Sequence, residues 1–346
     1  MTSLYEQALN LNPSSKLVDA YGRAHDYLRI SVTDQCNLKC VYCMPEEGMT
    51  FEPASHLLTP QELTVIVETA AKLGIRKLRL TGGEPTVRKD LIDIIERLSR
   101  IPHIEDIALT TNGLHLARKA RALKEAGITR LNISLDSLVP ERYHAITRGG
   151  HLKQVFKGLE AAFEAGFSPI KLNVVVLKGV NDDEILSFVS LTKQYAIQVR
   201  FIEYMPIGHA DEQWRSQYVS IDSIHALCEQ NGMVLVPAEH VYGNGPSENW
   251  KLEGAPGTVG LIHPLSRHFC DSCNRLRLTA DGQLKSCLYW EEEIALKPVL
   301  HDEQALIDQF HKAINGKPQN HEMAEALLKQ SLSRTPTARR MSQIGG

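Results

Sequence analysis

No stretch of this sequence stays apolar for the roughly 18 residues that a membrane-crossing helix needs. The N-terminus also lacks the charged start, apolar core and small-residue cleavage site of a secretory signal. Net charge is scarce as well, only -3 at pH 7. That excludes broad, sequence-independent binding to nucleic acid, which requires a basic surface, so an anionic substrate must meet local positive charge. No solenoid-type repeat or low-complexity tract occurs. The seven cysteines are odd in number and a poor disulfide framework. These absences describe a cytoplasmic protein without a membrane or nucleic-acid partner, in whose reducing surroundings clustered thiols more often ligate metal.

The 346 residues, 43% hydrophobic and 23% charged, suit a soluble globular chain made of one large α/β unit and a smaller appendage. Residues 1–25 show no sustained period and read as a loosely attached leader. Apolar β-type runs at 28–32, 77–81, 106–110, 130–135, 170–177 and 198–204 then alternate with helical stretches. Thr59, Pro60 and Glu62 mark a helix start, as cap, first-turn proline and capping-box acid, and Gly74 closes that helix. Arg118, Lys119, Arg121 and Lys124 read as a solvated helix face. The repeated order predicts a parallel sheet, an incomplete (β/α)6 TIM-type barrel over 26–215, followed by a smaller C-terminal α+β domain over 216–346. In such barrels the chemistry sits at the C-terminal ends of the strands. Those positions read Cys36 to Cys43, Gly82-Gly83-Glu84-Pro85, Thr111-Asn112-Gly113, Ser134 to Ser137 and Glu203 to Pro206.

Cys36, Cys40 and Cys43 place three thiols in a loop short enough for all to meet one inorganic core. A structural zinc ion wants four ligands, and no fourth lies nearby in sequence. A [4Fe-4S] cluster held by three thiolates keeps one iron open. This spacing, with Tyr42 before the last cysteine, resembles the radical S-adenosylmethionine superfamily. The resemblance implies an α/β partial barrel whose open iron chelates S-adenosylmethionine, with Gly82 to Pro85 matching the motif for its methionine amino group. Cleavage would yield methionine and a 5′-deoxyadenosyl radical.

Cys270, Cys273 and Cys287 form a second triplet. Zinc stays open here, because His263 or His268 could complete four ligands. Arg275 and Arg277 follow at a spacing that puts both on one face of a strand, where guanidinium groups suit a polyphosphate. Cys228 reads as a packing residue.

Both triplets, Leu28 to Ser31, Arg79 to Pro85, Thr110 to Gly113, Asn132 to Ser137, Arg200 to Glu203, Phe269 to Arg277 and the terminal Gly345-Gly346 together resemble the GTP 3′,8-cyclase family of molybdenum-cofactor biosynthesis. That likeness implies two [4Fe-4S] clusters, on Cys36, Cys40 and Cys43 and on Cys270, Cys273 and Cys287. It implies S-adenosylmethionine against Tyr42, Gly83, Ser134 and Met205. It also implies GTP held by Arg29, Arg79, Thr110, Lys171 and Arg275, Leu276 and Arg277, with guanine on the second cluster, and it gives Arg275 and Arg277 a catalytic part beside the first triplet. Loss of the ribose 3′ hydrogen and attack on C8 would give 3′,8-cyclo-7,8-dihydro-GTP. The same likeness implies an electron donor such as a flavodoxin or ferredoxin and a downstream cyclic pyranopterin monophosphate synthase, and it leaves room for a homodimer. Competing readings are another radical enzyme with an auxiliary cluster, such as a peptide or sulfatase maturase, and a zinc-stabilised binding module. Gly345-Gly346 is expected to thread into the barrel, where arginines meet its carboxylate; Arg339 and Arg340 precede it with little apolar surface.

Overall fold

The computed structural model describes residues 16–208, 212–238 and 245–345. Six parallel strands form its centre: β1 (Tyr27–Ser31), β2 (Lys77–Thr81), β3 (Asp106–Thr111), β4 (Arg130–Ser134), β5 (Ile170–Val176) and β6 (Ile197–Glu203). Each core strand is largely buried, and the apolar residues facing outward meet the amphipathic helices that join the strands. The helix Pro60–Lys72 shows how local chemistry sets these joints. Thr59 Oγ1 accepts from the Glu62 amide (3.2 Å) while Glu62 Oε2 accepts from the Thr59 amide (2.7 Å), and Gly74 then turns the chain at φ +100. On the helix Leu116–Ala126, Arg118 and Arg121 are exposed, whereas Lys119 donates to the Thr86 carbonyl (2.8 Å) and Lys124 lies over the Phe167 ring.

The C-terminal region extends this sheet at both edges. β7 (Leu235–Pro237), β8 (Glu248–Leu252) and β9 (Thr258–Ile262) join beyond β6; β10 (Arg275–Leu278), β11 (Gln283–Lys285) and β12 (Ile294–Ala295) join beyond β1. The order is β12-β11-β10-β1-β2-β3-β4-β5-β6-β9-β8-β7, twelve strands not closed into a full barrel. β9 runs parallel to β6 and β10 parallel to β1, and the outer pairs are antiparallel. Glu203, fully buried at the end of β6, accepts from the Leu265 and Ser266 amides (2.9 and 3.0 Å) and so fastens the late segment to the barrel.

The leader behaves differently from the loose segment expected of residues 1–25. Among its described residues, Arg23 is buried and donates to the carbonyls of Cys270, Pro318 and Gln319 at 2.7–2.8 Å. Residues 1–15 lie outside the described residues.

Candidate active site

One cavity of about 240 Å3 opens at the C-terminal ends of the strands and is lined by Cys36, Cys40, Cys43 and the arginines 29, 79, 200, 275 and 277. A smaller one of about 70 Å3 holds Cys270, Cys273 and Cys287 and shares Met205, Arg275, Arg277 and Leu288 with the first. The two triplets, more than 220 residues apart in sequence, therefore face adjoining chambers of one site.

Sheet register explains the arginines. Arg277, Arg29 and Arg79 are direct partners across β10, β1 and β2, so three guanidinium groups form one row on the inner face. Burial, then Arg277 and Arg79, pull Arg29 well below its ordinary pKa. Burial, then Arg275, bring Arg277 down to about 10. Like charges stacked out of water are unfavourable without an anion between them. The polar lining is also short of partners: Arg79 Nε, Thr110 Oγ1 and Asn173 Oδ1 are buried and find no hydrogen bond among the described residues. An anionic, hydrogen-bonding ligand would satisfy both.

The glycines of the second loop are steric requirements. A Cβ on Gly82 would collide with the Thr33 carbonyl, and one on Gly83 with the carbonyls of Asp34 and Gln35. Gly83 N–H donates to the Thr33 carbonyl (2.8 Å) and Glu84 N–H to the Gln35 carbonyl (2.8 Å). The β1–β2 pairing thus continues into the root of the first cysteine loop and fixes it against the 82–84 turn. Glu84 is buried, and its carboxylate accepts from Thr111 Oγ1 (2.7 Å) and the Asn112 amide (2.6 Å), tying the β2 and β3 loops together.

Tyr42 donates to Asp136 Oδ2 (2.6 Å), whose carboxyl burial pushes up to about 6. Burial, followed by the Glu84 charge, raises the Cys36 thiol to about 11; burial, followed by Cys36 and Asp136, raises Cys43. The second triplet differs. Burial opposes a Cys273 thiolate, but Lys317, Arg275 and Arg277 outweigh it and bring that thiol to about 7.

These donor sets suit iron–sulfur cores better than single ions. Among the described residues no three His, Cys, Asp or Glu groups converge on one metal ion. In a cubane each thiolate holds a separate iron, so three thiols need only line a shared wall. His263, a candidate fourth zinc ligand, is turned to Asp222 (3.4 Å) and Glu248 (3.7 Å), and His268 stands against the His321 ring. Cys228 is buried in the main core, as a packing residue should be.

Tyr42, Gly83, Ser134, Met205, Arg29, Arg79, Thr110, Arg275 and Arg277 all line the main cavity. Lys171 and Leu276 do not. Leu276 is fully buried in the apolar core, on the opposite face of β10 from its two arginines. Lys171 is buried in register with Asn132, and burial followed by Arg200 brings it down to about 6. Sequence reasoning passed over Arg200 and Asp136 as site residues, although both lie in quoted motifs. It also passed over Lys317, which belongs to no motif.

The tail enters the site. Gly345 O accepts from Arg277 (2.6 Å) and Arg29 (3.3 Å), and Ile344 O from Arg277 (3.4 Å). These contacts go to backbone carbonyls; the carboxylate expected at Gly346 lies outside the described residues. Contrary to the expected lack of apolar anchoring, Ile344 is buried in a second apolar cluster with Tyr204 and Trp290.

Residues 30–192 match the family model described as Radical SAM superfamily, and residues 197–323 the one described as Molybdenum Cofactor Synthesis C. The GTP 3′,8-cyclase of Listeria monocytogenes serovar 1/2a is 56% identical over 330 residues, 95% of this chain and 99% of the relative. That of Limosilactobacillus fermentum is 51% identical, over 96% of this chain and 99% of the relative. Streptococcus suis SuiB bound to the precursor peptide SuiA shares the fold, with TM-score 0.58 and 14% identity over 84% of this chain and 67% of that one.

Proposed function

Because this chain belongs to the GTP 3′,8-cyclase family of the radical S-adenosylmethionine superfamily, we propose that it joins ribose C3′ to guanine C8 of GTP, the first step of molybdenum-cofactor biosynthesis. The observation that carries this reading is the arginine row set between two cysteine triplets in adjoining chambers. A [4Fe-4S] cluster on Cys36, Cys40 and Cys43 supplies, when bound, the one-electron cleavage of S-adenosylmethionine that such enzymes use.

The chain's own residues position the reactants. Arg29, Arg79, Arg200, Arg275 and Arg277 take the triphosphate and ribose side, where planar, partly bidentate contacts fix an orientation as well as a charge. Gly83, Ser134, Met205 and Tyr42 wall the S-adenosylmethionine side, with Asp136 fixing the tyrosine ring. Cys270, Cys273 and Cys287 would hold a second cluster, which would bind the guanine of the same ligand. Holding both ends of one GTP brings C3′ and C8 together in the geometry that ring closure demands. Burial of the tail carbonyls on Arg277 and Arg29 restrains two of those arginines before GTP arrives. A flavodoxin or ferredoxin supplies the electron, and a cyclic pyranopterin monophosphate synthase consumes the product.

The test is anaerobic reconstitution followed by iron and sulfide analysis and product mass. About eight iron and eight sulfide per chain, with GTP-dependent formation of the cyclised nucleotide, is expected. Four of each removes the second cluster from this reading, and deoxyadenosine without a GTP product removes the cyclase.

A further inference from the structure

The second cysteine site rests against a buried lysine that no acid answers. Lys317 is 5% exposed, and its Nζ donates to the Arg275 carbonyl (3.0 Å) and to the Ser286 carbonyl. It forms no ion pair among the described residues. Lys285, buried in the same region, shows the usual arrangement: its Nζ meets Glu293 Oε1 at 3.1 Å as well as the Trp290 carbonyl at 2.9 Å. Arg23, the other cation lining the smaller chamber from outside the strands, is also answered, since Asp19 accepts from it at 2.6 Å. Carbonyl dipoles alone compensate a buried ammonium poorly.

The placement of those carbonyls is specific. Arg275 stands two residues after Cys273, and Ser286 immediately precedes Cys287. One ammonium therefore joins the two chain segments that carry two of the three thiols. Lys317 and all three cysteines line the same small chamber, so its charge faces the space that the thiols enclose.

We propose that Lys317 is the positioning and charge-compensating residue of the second cysteine site, clamping the Cys273 and Cys287 segments and raising the reduction potential of the cluster they hold. The inference rests on the reading that this triplet binds iron. Adding an electron adds negative charge to the cluster, so a fixed cation at the thiolates favours the reduced form. At the first site the neighbouring charges that act on the thiols are the acids Asp136 and Glu84.

Potentiometric titration followed by electron paramagnetic resonance, with iron analysis, decides the matter. Lys317→Gln, which keeps a donor but loses the charge, should retain about eight iron. At a fixed potential the reduced-to-oxidised ratio of its second cluster should fall about tenfold, or ~59 mV for one electron, while the first cluster stays put. Lys317→Arg should restore the parent midpoint. An unmoved second midpoint in a fully loaded Lys317→Gln overturns the proposal. Should that variant lose the second four irons, Lys317→Arg decides: full iron at the parent midpoint supports a required cation, and the same loss overturns the electrostatic role. Four irons in the parent protein would remove the two-cluster reading itself, a result separate from any of these.

Discussion

Cys36, Cys40 and Cys43 sit where burial and neighbouring acids both oppose a thiolate, whereas Cys273 sits where three cations overcome burial and draw one out. Both triplets offer the same number of sulfurs. Their surroundings differ in charge: Asp136 and Glu84 stand by the first triplet, and Lys317, Arg275 and Arg277 by the second, while the arginine row of the larger chamber lies between them. One sheet supplies both settings, because the acids stand after β2 and β4 and the arginines belong to β1, β2 and β10.

The largest effect comes from emptying one site at a time. Replacing Cys36, Cys40 or Cys43 by Ala should take reductive cleavage of S-adenosylmethionine to the assay floor. Replacing Cys270, Cys273 or Cys287 should leave deoxyadenosine formation measurable while GTP turnover vanishes. Each variant should lose about four irons. If the second set still cyclises GTP at the parent rate, the second site is merely structural.

The contrast can be sharpened without any metal. In cluster-free protein at pH 7.5, a thiol of pKa about 7 at Cys273 and one of about 11 at Cys36 differ roughly 2,000-fold in thiolate fraction. Lower intrinsic nucleophilicity of the more acidic thiol returns most of that, since reactivity follows basicity with a slope of about 0.4–0.5. Cys273 should therefore be alkylated by iodoacetamide roughly 40-fold faster than Cys36, as followed by peptide mass spectrometry. Equal rates would erase the electrostatic distinction.

The tail makes a smaller contribution to the second side. Gly345 sits at φ +72, and a Cβ there would strike Thr81 Cγ2. Gly345→Ala, at about 1–2 kcal/mol for the left-handed conformation alone, should lower cyclised product roughly 5- to 30-fold. Iron content and S-adenosylmethionine cleavage should hold. Deleting Gly345 and Gly346 should act in the same direction and more strongly; unchanged product in both would make the tail a bystander.

How far the sequence could be read follows from range. The six central strands were visible because each carries its own apolar period, and the observed Lys77–Thr81 coincides with the expected 77–81. Both triplets and the glycine turn were visible because their chemistry is packed into a few adjacent residues. Pairing of β1 with β10 was not, since Tyr27 meets Arg275 from far along the chain and no local period encodes that partner. For the same reason a leader arginine that reaches the carbonyls of Cys270 and Gln319 reads as an ordinary polar residue until the fold delivers it. Lys171 was taken as a ligand contact by resemblance, and only its burial beside Arg200 shows how weakly it holds its proton.

Lys171 gives the smallest expected signal and tests where the cationic half of the site ends. Burial first, then Arg200, Arg130 and Arg79, lower its pKa from 10.5 to about 6. At pH 8 the side chain is then neutral in the protein without GTP. Between about 6 and 10.5 the unfolded chain holds a proton that the folded chain lacks, so this residue makes the protein more stable as pH rises through that window, by up to ~1.4 kcal/mol per pH unit. A triphosphate beside Arg200 would offset the part of the shift that comes from the arginines, and binding would raise the affinity of Lys171 for a proton. Calorimetry at pH 8 in buffers of different ionisation enthalpy should show proton uptake on GTP binding, fading toward pH 5.5, where the lysine is already charged. Lys171→Met should remove both the uptake and the stability gradient while leaving the cysteine sites loaded. Buffer-independent binding enthalpies at pH 8 would place Lys171 outside the field of the substrate and confine the cationic half to the arginine row.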